Sequence, residues 1–572
     1  MKFLFKKIYI SIILSSILMF NTNLFAKDNQ ILYSGENISN YFLGIMSANQ
    51  DYNDMAFKYL KKAESLKDKH SQYNVEFVRT LILLEKFERA FDFSKSVWTK
   101  DVLFFEIDLL LGLEAFLKKD YISAEEYFKR LNKISRYNLF FDDFVGNILI
   151  SWIKAIEGNE DESFELLKKI PSQYSNLKNI QKSFLQCYFN SPKTQKSLEA
   201  LILSEEYNFS RYNFFLANYL ISQNKNKEAK IVINNSRKKH RSNLLLQQTE
   251  NYFENNKKNK IINFFNCKNP RESLGEFFYI LANLYSSEKN YQMSNFYLKI
   301  SLFLNNKFKT NKALLAENYF YQKKYKLSKK NYLSIKEIGP VYSWYASKSI
   351  ASILYEENGT ELSVEYLEKE FKLIPKKNFE HHYDIANFYK DYEYYEKSIK
   401  YYSQVLEIIE NDHDLYSKVL DRRGTSYERI GAWKKAEKDL KESLKISPDQ
   451  PHVLNYLAYS WVDKGINLDE SLEMLKKAAA LRENDGYIID SLGWAYYAKK
   501  NYTKAEYFLQ KAVELMPADP VINDHYADTL WMLNKNMQAR YFWSNILKLK
   551  DVDKKLKESI TKKLISGLNK KL

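Results

Sequence analysis

Cysteine is nearly missing from this sequence: Cys187 and Cys267 are the only two in 572 residues. No C-x-x-C pair occurs, which excludes zinc-ribbon and thioredoxin-type sites. In a helical array the two cysteines would lie about two repeats apart, too far for a disulfide. Both therefore read as small buried hydrophobes. Glycine (14) and proline (9) are scarce, which disfavours turn-rich all-β folds. Also lacking are G-x-S-x-G, H-E-x-x-H and the P-loop, so no catalytic motif is available. His381 and His382 are adjacent, so on a helix their rings diverge by ~100°. They read as exposed, and His413 as a loop residue between Asp412 and Asp414. His452 lies on a helix at a groove-facing position, and His525 reads as a packing or capping residue. The chain is expected to be no enzyme and to hold neither cofactor nor metal.

After Phe20, no run is long and apolar enough to span a bilayer. The start, "MKFLFKKIYISIILSSILMFNTNLFAKDN", is basic, then uncharged and apolar over Ile8–Phe20, then small at Ala26. That is the pattern of a signal peptide covering 1–26, with an uncleaved inner-membrane anchor as the alternative. No Cys lies nearby to carry a lipid. The expected location is the periplasm.

What is plentiful is apolar and aromatic: 45% hydrophobic residues, with 45 Tyr and 37 Phe, against 28% charged. These values suit a folded globular chain. The net charge of +16 is mostly lysine and reads as dispersed over a solvated surface. A basic surface favours anionic membranes, polyanions or acidic proteins. Nucleic acid is not expected, because the basic residues are scattered and the chain reads as exported.

Internal periodicity organises the rest. Frames of 34 to 38 residues start at 275, 309, 344, 379, 417, 451, 486 and 520. Position 8 of these frames is Ala282, Ala316, Ala351, Ala386, Gly424, Ala458, Gly493 and Ala527. Position 20 is Ser294, Ser328, Ser363, Ser398, Ala436, Ser471, Ala505 and Ala539, with one residue inserted near Ile466. Position 11 is large in every frame, and Pro340, Pro375, Pro448 and Pro517 all fall at position 32. Small residues at 8 and 20 let two helices cross closely, and proline ends the second helix. Looser frames at 37, 71, 105, 144 and 210 place Ala56, Ala90, Ala124, Ser163 and Ala229 at position 20. Residues 178–209 and 244–274 fit only as degenerate helical pairs.

This spacing resembles the tetratricopeptide repeat, a pair of helices here called A and B. The expected fold is all-α, a tetratricopeptide superhelix of roughly 12–14 helix pairs. The expected divisions are a signal at 1–26, an irregular array at 27–243, a degenerate junction at 244–274, a regular array at 275–552 and a basic helix at 553–572. That last helix repeats Leu556, Ile560, Leu564 and Leu568 and reads as a cap, with membrane contact as the alternative. Segments such as "DSLGWAYYAKKNYTKAEYFLQKAVELMPADP" and "VINDHYADTLWMLNKNMQARYFW" resemble exported bacterial tetratricopeptide proteins. Some of that group are lipoprotein adaptors of a carboxy-terminal processing protease. The resemblance implies a protein or peptide partner, such as a periplasmic protease or its substrate.

In such a stack the A helices line a concave groove, and positions 2, 5, 9 and 12 point into it. The candidate groove residues are Asn455, Tyr459, Tyr487, Asp490, Trp494, Tyr497, Asp524, Asp528 and Trp531. Aromatics supply contact area and Asn can hold peptide amides, while the three aspartates require donors. The expected function is a non-catalytic scaffold or adaptor in the cell envelope, with membrane-contacting assembly factor as the alternative.

Overall fold

The computed structural model describes residues 34–68, 70–134, 144–203, 210–550 and 552–568. The expected signal segment lies outside them. Among the described residues every regular element is a helix and no strand occurs.

The repeat is built on three local devices. In the 486 frame, the A helix Gly486–Ala498 leaves through Lys500, a single residue in the left-handed region (φ 61°). The amide of Asn501 then donates back to the carbonyl of Tyr496 at 2.9 Å, capping the A helix. The same position, 15, is left-handed at Asp51, Glu85, Lys119, Asn224, Lys289, Lys323, Glu393 and Asn534, and at Gly158, Gly431 and Gly465. The inserted residue near Ile466 places a second left-handed residue, Asn467, before the helix Leu468–Leu481.

The small residues form the second device. Position 20 is fully enclosed in every frame described above. Ser328 Oγ donates to the carbonyl of Ala316 at 2.8 Å, so position 20 rests on the backbone of position 8. Glycine at position 8 also accommodates the large side chain at position 24. A Cβ on Gly44, Gly112, Gly424 or Gly493 would stand 2.6, 2.3, 3.1 or 2.5 Å from Leu60, Phe128, Leu440 or Leu509. The third device is proline. Pro375, Pro448 and Pro517 follow the ends of their B helices, whereas Pro340 opens the helix Pro340–Asn358. Proline suits that first position, where no helical N–H is needed.

The chain divides into two compact units between Glu357 and Asn358, rather than at 244–274. In the first unit the hairpin Pro270–Ser287 and Tyr291–Leu304 is buried on nearly every side. It contacts the helices Ser71–Leu83, Phe144–Ile156 and Ser175–Tyr188, all of them A helices. The concave face of the early repeats is thus filled by the unit's own chain. Phe303 stacks on Phe87 at 3.9 Å, Gln292 Nε2 donates to the carbonyl of Ala48 at 3.1 Å, and Lys299 pairs with Glu85. One continuous hydrophobic core runs from Leu60 to Tyr319. These cross-contacts explain why helices up to Glu357 belong with the first unit.

The same return corrects the reading of the cysteines. Cys187 and Cys267 form a disulfide, with Cα atoms 5.9 Å apart. Two repeats of sequence do not mean two repeats of distance, because the segment before the hairpin comes back to the end of Ser175–Tyr188. Lys268 Nζ holds that end, donating to the carbonyls of Cys187 and Tyr188 at 2.7 Å each.

The second unit has no such plug through its middle. Its apolar residues fall into four small clusters around Tyr402, Trp461, Ala478 and Ala512, and one larger cluster that runs from Ala458 to Ile560. This is nearest-neighbour stacking, as expected of a helical-repeat array.

Candidate ligand groove

Three A helices of the second unit carry the predicted groove residues: Pro451–Asp463, Gly486–Ala498 and Pro520–Met532. Each starts at a firm cap. Pro451 and Pro520 occupy first helical positions, and Asp485 and Asp519 accept from the amides that open their helices.

Their side chains separate into an aromatic strip and a buried charge cluster. In the strip, Trp494 stacks on His525 (centroids 4.0 Å apart, 11° between planes) and on Tyr497 (4.4 Å, 10°). Tyr459 lies 6.5 Å from His525. Tyr459, Trp494 and Tyr497 are half-buried, and Tyr487 is 55% exposed. Asn455 is half-buried, and its Oδ1 is enclosed without a hydrogen-bond donor among the described residues. Burial, followed by the charges of Asp490 and Asp463, raises the Tyr459 hydroxyl to about 12, so it remains a donor at neutral pH.

The three aspartates are not open. Asp490 accepts from His525 Nδ1 through both oxygens, at 3.0 Å each. Asp524 and Asp528 each accept from Trp543 Nε1 at 3.1 Å. Between them sits the ammonium of Lys563, 2.7 to 2.8 Å from all four carboxylate oxygens. Lys563 comes from the helix Lys554–Ser566, the amphipathic basic segment. The donors that the aspartates require are therefore supplied from within the chain. Trp531 is engaged too: its Nε1 donates to the carbonyl of Leu568 at 3.2 Å, and its ring packs near Trp543.

Charge in this cluster is unevenly matched, with three carboxylates facing two cationic groups. Burial raises Asp528 to about 7, helped by the charge of Asp524 and opposed by Lys563 and His525. Burial pulls the His525 imidazole down, but Asp490, then Asp524 and Asp528, outweigh it and hold the ring above its usual value. His525 thus shares the stacked strip with Trp494 and the buried cluster with Asp490.

Sequence reasoning missed Lys563, Trp543 and Arg540, which donates to the carbonyl of Leu564. The available signal was three aspartates on two A helices that carry no Lys or Arg of their own, followed by a basic helix. The other histidines are structural. His381 and His382 are half-buried rather than exposed. His381 Nδ1 closes a capping box with Asn378, and His382 packs on Phe371 and Tyr401. His413 packs on Phe379, and His452 pairs with Asp421 at 3.0 Å.

Residues 381–412 and 488–519 each match the tetratricopeptide repeat family. A TPR repeat-containing protein of Pseudomonas aeruginosa is 35% identical over 81 residues, which is 14% of this chain and 14% of that protein. The chain thus matches about a seventh of that relative's length. Among solved structures, MamA of Desulfovibrio magneticus RS-1 shares 18% identity over 30% of this chain and 97% of its own, with a TM-score of 0.28. A tetratricopeptide repeat protein of Parabacteroides merdae shares 16% over 39% and 86%, with a TM-score of 0.33. The chain thus carries tetratricopeptide repeats at residues 381–412 and 488–519, and its described residues form helix pairs in phase, an all-α solenoid fold.

Proposed function

We propose that this chain is a non-catalytic scaffold or adaptor of the bacterial cell envelope. It holds a protein or peptide partner on the concave face of the repeats between residues 451 and 531. The observation that carries this reading is the partly open strip of Tyr459, Trp494 and Tyr497, stacked on His525. Pre-stacked aromatic rings offer contact area at little entropic cost.

Two features support export: the signal-like segment 1–26, and the Cys187–Cys267 disulfide. Disulfides persist in oxidising compartments such as the periplasm. The resemblance to exported tetratricopeptide adaptors makes a periplasmic protease or its substrate the partner to look for. Among the described residues no helix is long and apolar enough to cross a membrane. The apolar stripe of Lys554–Ser566 faces the last repeats.

The test is in-cell crosslinking from a photoreactive residue at Asn455 and at Tyr487, with Tyr507, 68% exposed on a B helix, as the control position. The reading predicts the same protein captured from both groove positions and not from Tyr507. Identical captures from all three positions would refute it.

A further inference from the structure

The helix Lys554–Ser566 is joined to the last repeat like a ligand. Its apolar residues Leu556, Ile560 and Leu564, with Leu568 just beyond, face the cluster around Trp543, and only Ile560 is fully buried. Its neighbour Ile565 remains 78% exposed. The polar contacts are specific. Asp524 and Asp528 cradle Lys563, while Arg540 and Trp531 donate to the carbonyls of Leu564 and Leu568. The helix ends at Gly567, which is left-handed (φ 68°), and a Cβ there would stand 1.9 Å from the Trp531 ring. Trp531 thus meets the end of the helix where only glycine fits. A helix of 13 residues has little stability alone, so its fold depends on the surface that holds it.

These contacts define a helix-in-groove receptor: an acid pair for one ammonium, two donors for the last carbonyls, an apolar trough and a glycine-sized gap. We propose that Lys554–Ser566 is a displaceable resident of this receptor, and that the partner docks there with an amphipathic helix of the same register, Lys-Leu-x-x-Gly-Leu. This rests on the reading of the chain as a protein-binding scaffold, places the partner on the last repeat and specifies its chemistry. Charge complementarity favours a lysine-bearing helix, and the resident shows that the register fits. A tethered resident competes at high effective concentration, so the site is masked until a tighter helix arrives.

The experiment titrates a fluorescent peptide with the sequence of residues 552–568 into the full-length chain, wild type and Lys563→Glu. Glutamate opposite Asp524 and Asp528 ejects the resident and leaves the receptor intact. The expected result is binding at least about tenfold tighter to Lys563→Glu than to wild type, because the tethered competitor is gone. A peptide carrying the same substitution should bind neither chain. Equal affinity for the two chains, or tight binding of the substituted peptide, overturns the proposal. If Lys563→Glu loses more helicity than its own terminal helix, Lys563→Gln replaces it under the same criterion. A concentration-dependent dimer of the wild-type chain in light scattering would overturn the partner in favour of helix exchange between copies. Crosslinking from Asn455 and Tyr487 without peptide exchange would mean a partner on the earlier repeats and a permanent cap. Peptide exchange without crosslinking would reject the strip and keep the receptor.

Discussion

Gly493 sits where its A helix crosses the B helix of the same repeat, against Leu509. A Cβ there would stand 2.5 Å from Leu509 Cγ and 3.1 Å from its backbone nitrogen. Gly493→Ala should therefore destabilise the second unit by about 1–3 kcal/mol despite the better helix propensity of alanine. Urea unfolding would measure it, and an unchanged midpoint would contradict the close approach. Asp528 gives a pH signature. Its carboxyl binds a proton more tightly in the folded chain, at about 7, than in the unfolded chain, near 3.8. The stability linked to that proton is complete below about pH 4 and is lost as pH rises through 7. Asp528→Asn should accordingly gain stability relative to wild type as pH rises from roughly 4 to 7, and a constant difference across that window would argue against the raised carboxyl. The small residues at positions 8 and 20 were legible in the sequence because sterics restrict both positions to a few residue types. The partner of Asp524 and Asp528 was not, because Lys563 lies outside their repeat and nothing local marks it.

At the scale of the element, each repeat turns on one left-handed residue, and this was invisible in the sequence. Lysine, glutamate, asparagine, aspartate and glycine all occupy position 15. None but glycine adopts that conformation freely, and the cap at the end of the A helix enforces it on the rest. Lys500→Gly should raise stability by about 1 kcal/mol, the left-handed strain of a residue with a Cβ. Thermal unfolding of the full chain would register it as a higher midpoint of the second unit. A decrease would mean that the Lys500 side chain contributes more than the strain costs. The insertion near Ile466 was legible, since the repeat lost phase there. Its structural form, two left-handed residues at Gly465 and Asn467, was not.

For the molecule as a whole, the recurring theme is a later segment of the chain packing on earlier repeats. In the first unit that segment is the hairpin of residues 270–304, sealed into one core and stapled nearby by Cys187–Cys267. Closing a loop across a separation of 80 residues makes that staple worth about 2–4 kcal/mol. Cys187→Ser should lower the melting temperature of the first unit and leave that of the second unchanged; no change in either would show the staple dispensable. Periodicity could not reveal the hairpin's position, because a repeat pattern encodes contacts with neighbours and not the return of a later segment. In the second unit the helix Lys554–Ser566 packs on the end of the last repeat, chiefly on the B helix Asn536–Ile546, and here the surface is specific while the burial is slight. Hydrogen exchange of the full oxidised chain tests this account most directly. The amides of residues 554–566 should exchange well before those of Pro520–Met532, by opening of the resident helix alone. Exchange of both helices together, only through global unfolding of the unit, would make the last helix an inseparable part of the fold and contradict the account.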